Sequence, residues 1–167
     1  CDGRVFFTFH PDGKPEIKVA EWVDGEARAH PDMAFQSERD ELWFDAPLSL
    51  RIDANNHLWV LDQANHGSGD AKLVAIDLAT DQVIREHHFT SDQAGLGSHL
   101  NDFQVHPSGD RVYIAEASIF GKTPALLVFD RGDGSVRRLL EGHVSVMPEP
   151  YYITVDGEPI EPLGLFA

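Results

Sequence analysis

Three turn-and-strand segments recur along this chain at intervals of 53 or 54 residues. They are Asp2-Gly3-Arg4-Val5-Phe6-Phe7, Asn55-Asn56-His57-Leu58-Trp59-Val60 and Gly109-Asp110-Arg111-Val112-Tyr113-Ile114. A second series keeps step with the first: Asp24, Asp77 and Asp130 each close an apolar run, and each is 53 residues from the next. Two independent landmarks on one spacing mean that the chain stacks copies of a single supersecondary unit. Such units bury their faces against one another, so the period dictates both the repeat and its packing.

Each copy predicts strands. The clearest copy runs over 48–52, turns through 53–56, resumes at 57–62, loops over 63–70 and continues as 72–77 and 82–89. The next repeats the plan at 101–105, 111–115, 125–130 and 135–140. These runs are rich in β-branched and aromatic residues and are separated by Gly, Asn and Asp. Four strands per copy make a propeller blade. Leu58, Val60, Val112 and Ile114 fall on one face of their strands, and Trp59, Leu61, Tyr113 and Ala115 on the other. A strand apolar on both faces must be covered on both. The crossover helices of an α/β fold have no counterpart in the hydrophobic pattern. The expected fold is all-β, a β-propeller.

The period assigns 2–46 to a partial first blade that opens on its second strand. Complete blades follow over 47–98 and 99–143, and 144–167 reads as a loop leading into a further blade. Propellers close with roughly four to eight blades. About three blades therefore predict part of a single larger propeller domain, with the remainder in the same, longer chain.

Charge narrows the partners. The formal net charge of −15 argues against nucleic acid, whose phosphates need a basic surface, and suits cations. No run of about 18 apolar residues is present, so no membrane-spanning helix is expected. The single Cys1 excludes an internal disulfide. Gly67-Ser68-Gly69 and Gly95-Leu96-Gly97 lack the strand-to-helix context of a phosphate-binding loop. No Gly-x-Ser-x-Gly elbow offers a nucleophile. Trp22, Trp43 and Trp59 read as blade packing.

Leu58-Trp59-Val60-Leu61-Asp62, followed by Lys72-Leu73-Val74-Ala75-Ile76-Asp77-Leu78-Ala79-Thr80, resembles the Yellow and major royal jelly protein family. So does Leu100-Asn101-Asp102-Phe103-Gln104-Val105 leading into Arg111-Val112-Tyr113-Ile114-Ala115-Glu116, and the likeness runs over residues 2–143. It is strongest to bacterial members. The resemblance implies a six-bladed propeller and secretion, extracellular or periplasmic. It also implies a function among those of the family, in which some insect members are linked to dopachrome conversion and some salivary members bind biogenic amines.

The turn at 106–110 joins two strands as a hairpin, which brings the start of the first and the end of the second to one rim. Asn101 and Asp102 lie at that start and Glu116 at that end. Asp62 takes the corresponding place in the preceding blade. Counting back 53 residues from Asn101 and Asp102 gives Leu48 and Ser49, so the polar pair does not recur and a local, ligand-binding task is expected for it. Asp62 and Glu116 are further ligand-binding candidates on this rim, but they recur as acids, which favours holding loop N–H groups. Of nine histidines, only His66 and His99 fall near this rim, each a candidate acid or base. Tyr151-Tyr152 is a further candidate for the channel mouth.

Three functions follow. The first is binding of an amine, catechol or polyhydroxylated molecule at the channel mouth, with tautomerase-type chemistry and no cofactor. The second is a lactonase dependent on Ca²⁺ or another divalent ion, since an Asn-Asp pair so placed also resembles the gluconolactonase and regucalcin propellers. The third is an interaction propeller without a catalytic site.

Overall fold

The computed structural model describes residues 3–39, 41–119, 123–149 and 154–160. Tyr151 and Tyr152 lie outside them. Three antiparallel meanders follow one another along the chain. The first is β1 (Val5–Thr8), β2 (Val19–Val23) and β3 (Glu26–Ala29). The second is β4 (Pro47–Ile52), β5 (His57–Asp62), β6 (Lys72–Asp77) and β7 (Gln82–His88). The third is β8 (Leu100–Val105), β9 (Arg111–Glu116), β10 (Ala125–Asp130) and β11 (Val136–Leu139). These are propeller blades, and β4 and β8 meet as the first strands of adjacent blades. Within 144–160, read as loop, the short strands β12 (Thr154–Val155) and β13 (Glu158–Pro159) form a hairpin.

The recurring aspartates have a local cause. Asp77 and Asp130 each accept a hydrogen bond from the backbone N–H two residues on, at 2.9 Å, and so shape the turn that ends the third strand. In the first blade the same position works differently. Asp24 and Gly25 both have positive φ, 54° and 87°, in a two-residue hairpin between Val23 and Glu26.

The doubly apolar strand is covered on both sides. Leu58 and Val60 pack with Val19, Phe44, Val74 and Ile76 between the first and second blades. Trp59 and Leu61 pack with Phe103, Val112, Ile114 and Phe129 between the second and third. Two side chains of the first blade that face away from the middle blade are open to solvent: Val5 is 55% exposed and Trp22 52%. Trp59 is thus a packing residue, whereas Trp22 lies on an open sheet face of the kind that a neighbouring blade covers.

Candidate ligand site on the blade rim

The rim begins with two buried carboxylates. Asp62, at the end of β5, is fully buried and accepts from the backbone N–H groups of Asp45, Ala46 and Ala64 at 2.6, 2.9 and 3.0 Å. Lys72 Nζ stands 3.4 Å from its second oxygen. Glu116, at the end of β9, accepts from His99 N–H at 2.9 Å and Ser118 N–H at 2.7 Å, with Arg138 3.1 Å away. The two acids perform one task in successive blades, tying the incoming loop to the second strand. Their counter-cations come from different strands, β6 and β11, so sequence alignment of the repeats does not reveal them.

Asn101 and Asp102 open the inner strand as expected, and a bulge separates their roles. Pairing of β8 with β9 skips Asn101, just as pairing of β4 with β5 skips Leu48. A bulge re-aims the extra residue. The carbonyls of both bulged residues accept a hydroxyl from the preceding blade, Thr8 Oγ1 to Leu48 and Ser49 Oγ to Asn101, each at 3.2 Å. Asp102 is occupied differently: Arg51 Nη2 reaches its two oxygens at 2.8 and 2.7 Å, bridging neighbouring inner strands. Arg51 carried no signal in the sequence, since its partner lies 51 residues away.

The histidines are brought together by an unusual stretch of backbone. Ala64, Asn65, His66 and Gly67 all have left-handed φ, of 50°, 50°, 59° and 71°. Such conformations cost roughly 1–2 kcal/mol for each non-glycine residue and normally occur singly. The turn closes through Gly67 N–H to Gln63 O at 3.2 Å and Gly69 N–H to Ala64 O at 3.0 Å. Gly67 also lies directly against the 90–98 loop, where a Cβ would stand 2.1 Å from Gly95 O. His66 O then accepts from Gly97 N–H at 3.0 Å.

The outcome is a contact between His66 Nδ1 and His99 Nδ1 of 2.9 Å, with ring centroids 4.9 Å apart and planes inclined by 22°. Two Nδ1 atoms make a hydrogen bond only when one of them carries the proton. Burial and then the neighbouring His66 hold the His99 pKa below its ordinary value, opposed by a side-chain hydrogen bond to Asn101 and by Glu116. His99 is therefore neutral at pH 7. His99 also shares a side-chain hydrogen bond with Asn101, and one of the two facing Nδ1 atoms carries the proton of the imidazole contact. A cleft of about 390 Å³ lies against the same loop, lined by Gly97, Ser98, Ser118, Arg138 and Glu141 among others.

The structure thus unites His66, His99 and Asn101 in one hydrogen-bonded chain and sets Asp62 and Glu116 behind them as anchors. Asp102 sits beside the chain, paired with Arg51. Among the described residues no group of three or more His, Cys, Asp or Glu side chains converges as a metal site. With Asp102 engaged by arginine and Asp62 and Glu116 by backbone N–H groups, the rim residues described do not by themselves fit a divalent ion. No helix is long and apolar enough to cross a membrane among the described residues.

No match was found among curated proteins. The sequence model of the major royal jelly protein family matches residues 46–162. That span covers both four-stranded blades, the left-handed turn and all six rim residues, and by it the chain belongs to the major royal jelly protein family.

Proposed function

We propose that this chain binds a small polar molecule, an amine, catechol or polyhydroxylated compound, at the mouth of the propeller channel. The ligand contacts His66, His99, Asn101 and Asp102, while Asp62 and Glu116 fix the loops that carry the histidines. The observation that carries this reading is the 2.9 Å contact between the two imidazoles. Left-handed backbone, a glycine-to-glycine approach and a buried glutamate all act to hold that contact, and strain of this kind clusters at functional sites. A hydrogen-bonded imidazole pair takes a proton at one nitrogen and returns it at another, which is the chemistry that tautomerisation of a cyclised catechol requires.

Titration calorimetry with dopamine as the probe tests the reading. Binding by the unmodified chain should weaken by about tenfold in His66→Gln and in Asn101→Ala, the loss expected of one hydrogen bond to a charged group. Both variants should keep near-normal thermal stability. Unchanged affinity in both contradicts the proposal. A lactonase is the second outcome: gluconolactone hydrolysis that requires added Ca²⁺ and stops with chelator would replace the present reading.

A further inference from the structure

One blade earlier on the same rim, a separate cleft of about 370 Å³ opens between the β1–β2 loop and the start of β4. That volume lies in the range of small-molecule sites, roughly 300–1,000 Å³. Its lining combines apolar Phe9, Pro11, Pro15 and Pro47 with the polar and charged groups of Lys14, Lys18, Asp45 and Asn65. Asn65 belongs to the left-handed turn and is followed directly by His66. The turn therefore divides this cleft from the histidine pair, with successive residues serving the two sides.

The charged part of the lining is built, and its groups keep capacity to bind. The backbone N–H of Asp45 is fixed by Asp62 at 2.6 Å. The Asp45 carboxylate rests over Gly69, where a Cβ would stand 2.7 Å from Oδ2, so the absent side chain makes its room. No hydrogen bond to that carboxylate occurs among the described residues. Burial, and then Asp62, raise its pKa, opposed by Lys18 and Lys72. Lys18 Nζ donates to Phe44 O at 2.6 Å and stands 4.7 Å above the Trp43 ring, leaving two of its three protons for other acceptors. Burial lowers the Lys18 pKa, opposed by Asp45 and Asp62. A carboxylate short of donors and an ammonium with protons to spare, both half-buried, face one cavity.

We infer that this cleft binds a small zwitterion with an apolar side group, a free aromatic or aliphatic α-amino acid. Its ammonium meets Asp45 and Asn65, its carboxylate meets Lys18 and Lys14, and its side group lies on Phe9 and the prolines. A zwitterion uses both charges of the lining: a lone cation leaves the two remaining Lys18 protons unused, and a lone anion leaves the Asp45 carboxylate without a hydrogen-bond donor. The site is distinct from the histidine pair and does not rest on the ligand proposed there.

The test is calorimetry on the full chain with L-phenylalanine, phenethylamine and 3-phenylpropionate. L-Phenylalanine should bind at least about tenfold more tightly than either analogue, each of which loses one charge-assisted bond. Asp45→Asn is isosteric and should lose that preference over 3-phenylpropionate. Lys14→Ala, at an exposed position, folds as the parent does and should weaken L-phenylalanine without affecting phenethylamine. His66→Gln should leave the L-phenylalanine and 3-phenylpropionate affinities unchanged, which separates failure of this inference from failure of the rim proposal; phenethylamine, an amine of the class proposed for the rim, is compared with them in that variant. Equal binding of L-phenylalanine and phenethylamine, no binding of any probe, or loss of L-phenylalanine binding in His66→Gln would each overturn it.

Discussion

His66 Nδ1 and His99 Nδ1 meet at 2.9 Å across the boundary between two blades. Neither ring reaches that position by default. His66 is carried by four successive left-handed residues, and the N–H of His99 is held by a buried glutamate. The contact depends on both, so perturbing either loop should break it.

Gly67→Ala is the sharpest way to do so. The new Cβ would stand 2.1 Å from Gly95 O, with backbone on both sides. Separating the loops should cost about 1–3 kcal/mol, as overpacking does. Urea denaturation should show a lowered midpoint with an unchanged slope, and the His66–His99 contact should disappear from a crystal structure of the variant.

Asp62→Ala removes the acceptor of three backbone N–H groups and strands Lys72, which is 2% exposed. The expected destabilisation is about 3–5 kcal/mol, that of a buried pair with one partner deleted. Glu116→Ala should cost less, about 1–3 kcal/mol, because it leaves two N–H groups without their acceptor while Arg138 keeps Glu141 and the carbonyls of Gln93 and Thr123. Denaturant midpoints of the two variants check this, and an effect within about 0.5 kcal/mol of zero would mean that neither carboxylate anchors its loop.

The tryptophans should separate. Trp59 is fully buried in the core between the second and third blades, and Trp59→Ala should cost about 3–5 kcal/mol. Trp22 is 52% exposed, and Trp22→Ala in this chain should change stability by about 0.5 kcal/mol or less. Thermal melts of the pair provide the comparison.

Stability should depend on pH in two windows. Burial lowers the pKa of His30, His87 and His99. Below their ordinary value near 6.5 the unfolded chain takes up protons that the folded chain resists, so stability falls as pH drops through and below that value. Burial pushes Asp53 upward, but bonds from Trp59, His57 and Asn55 outweigh it and hold the carboxyl below its ordinary 3.8. Its stabilisation is present above that value and is lost as pH falls further. Urea midpoints measured from pH 8 to pH 3 should decline in both windows, and His99→Gln should flatten only the first.

The 53-residue period announced the blades because each repeated turn needs its aspartate, at Asp77 and Asp130, and each second strand needs apolar residues on both faces. The rim was legible for the same reason: hairpin geometry alone carries Asn101 and Glu116 to one end. The left-handed turn at 64–67 was not, since Ala64 and His66 have no propensity for that conformation and are driven into it by Gly67 against Gly95. Arg51 was missed because its partner, Asp102, comes from the next blade, and Asp45 because the cleft lining is gathered from residues as far apart as Phe9 and Asn65. The bulge at Asn101 has no sequence mark, yet it decides that Asn101 faces the histidine while Asp102 faces an arginine.

Imidazole ¹⁵N NMR of His66 and His99 tests the central claim most directly, because it reports which nitrogen holds each proton. At pH 7 the account predicts one protonated and one bare Nδ1 within the pair, with addition of dopamine shifting the imidazole resonances. Lowering the pH should protonate His99 only below the ordinary imidazole range. Two rings that both carry their proton on Nε2 and ignore dopamine would contradict the shared proton and the site built on it.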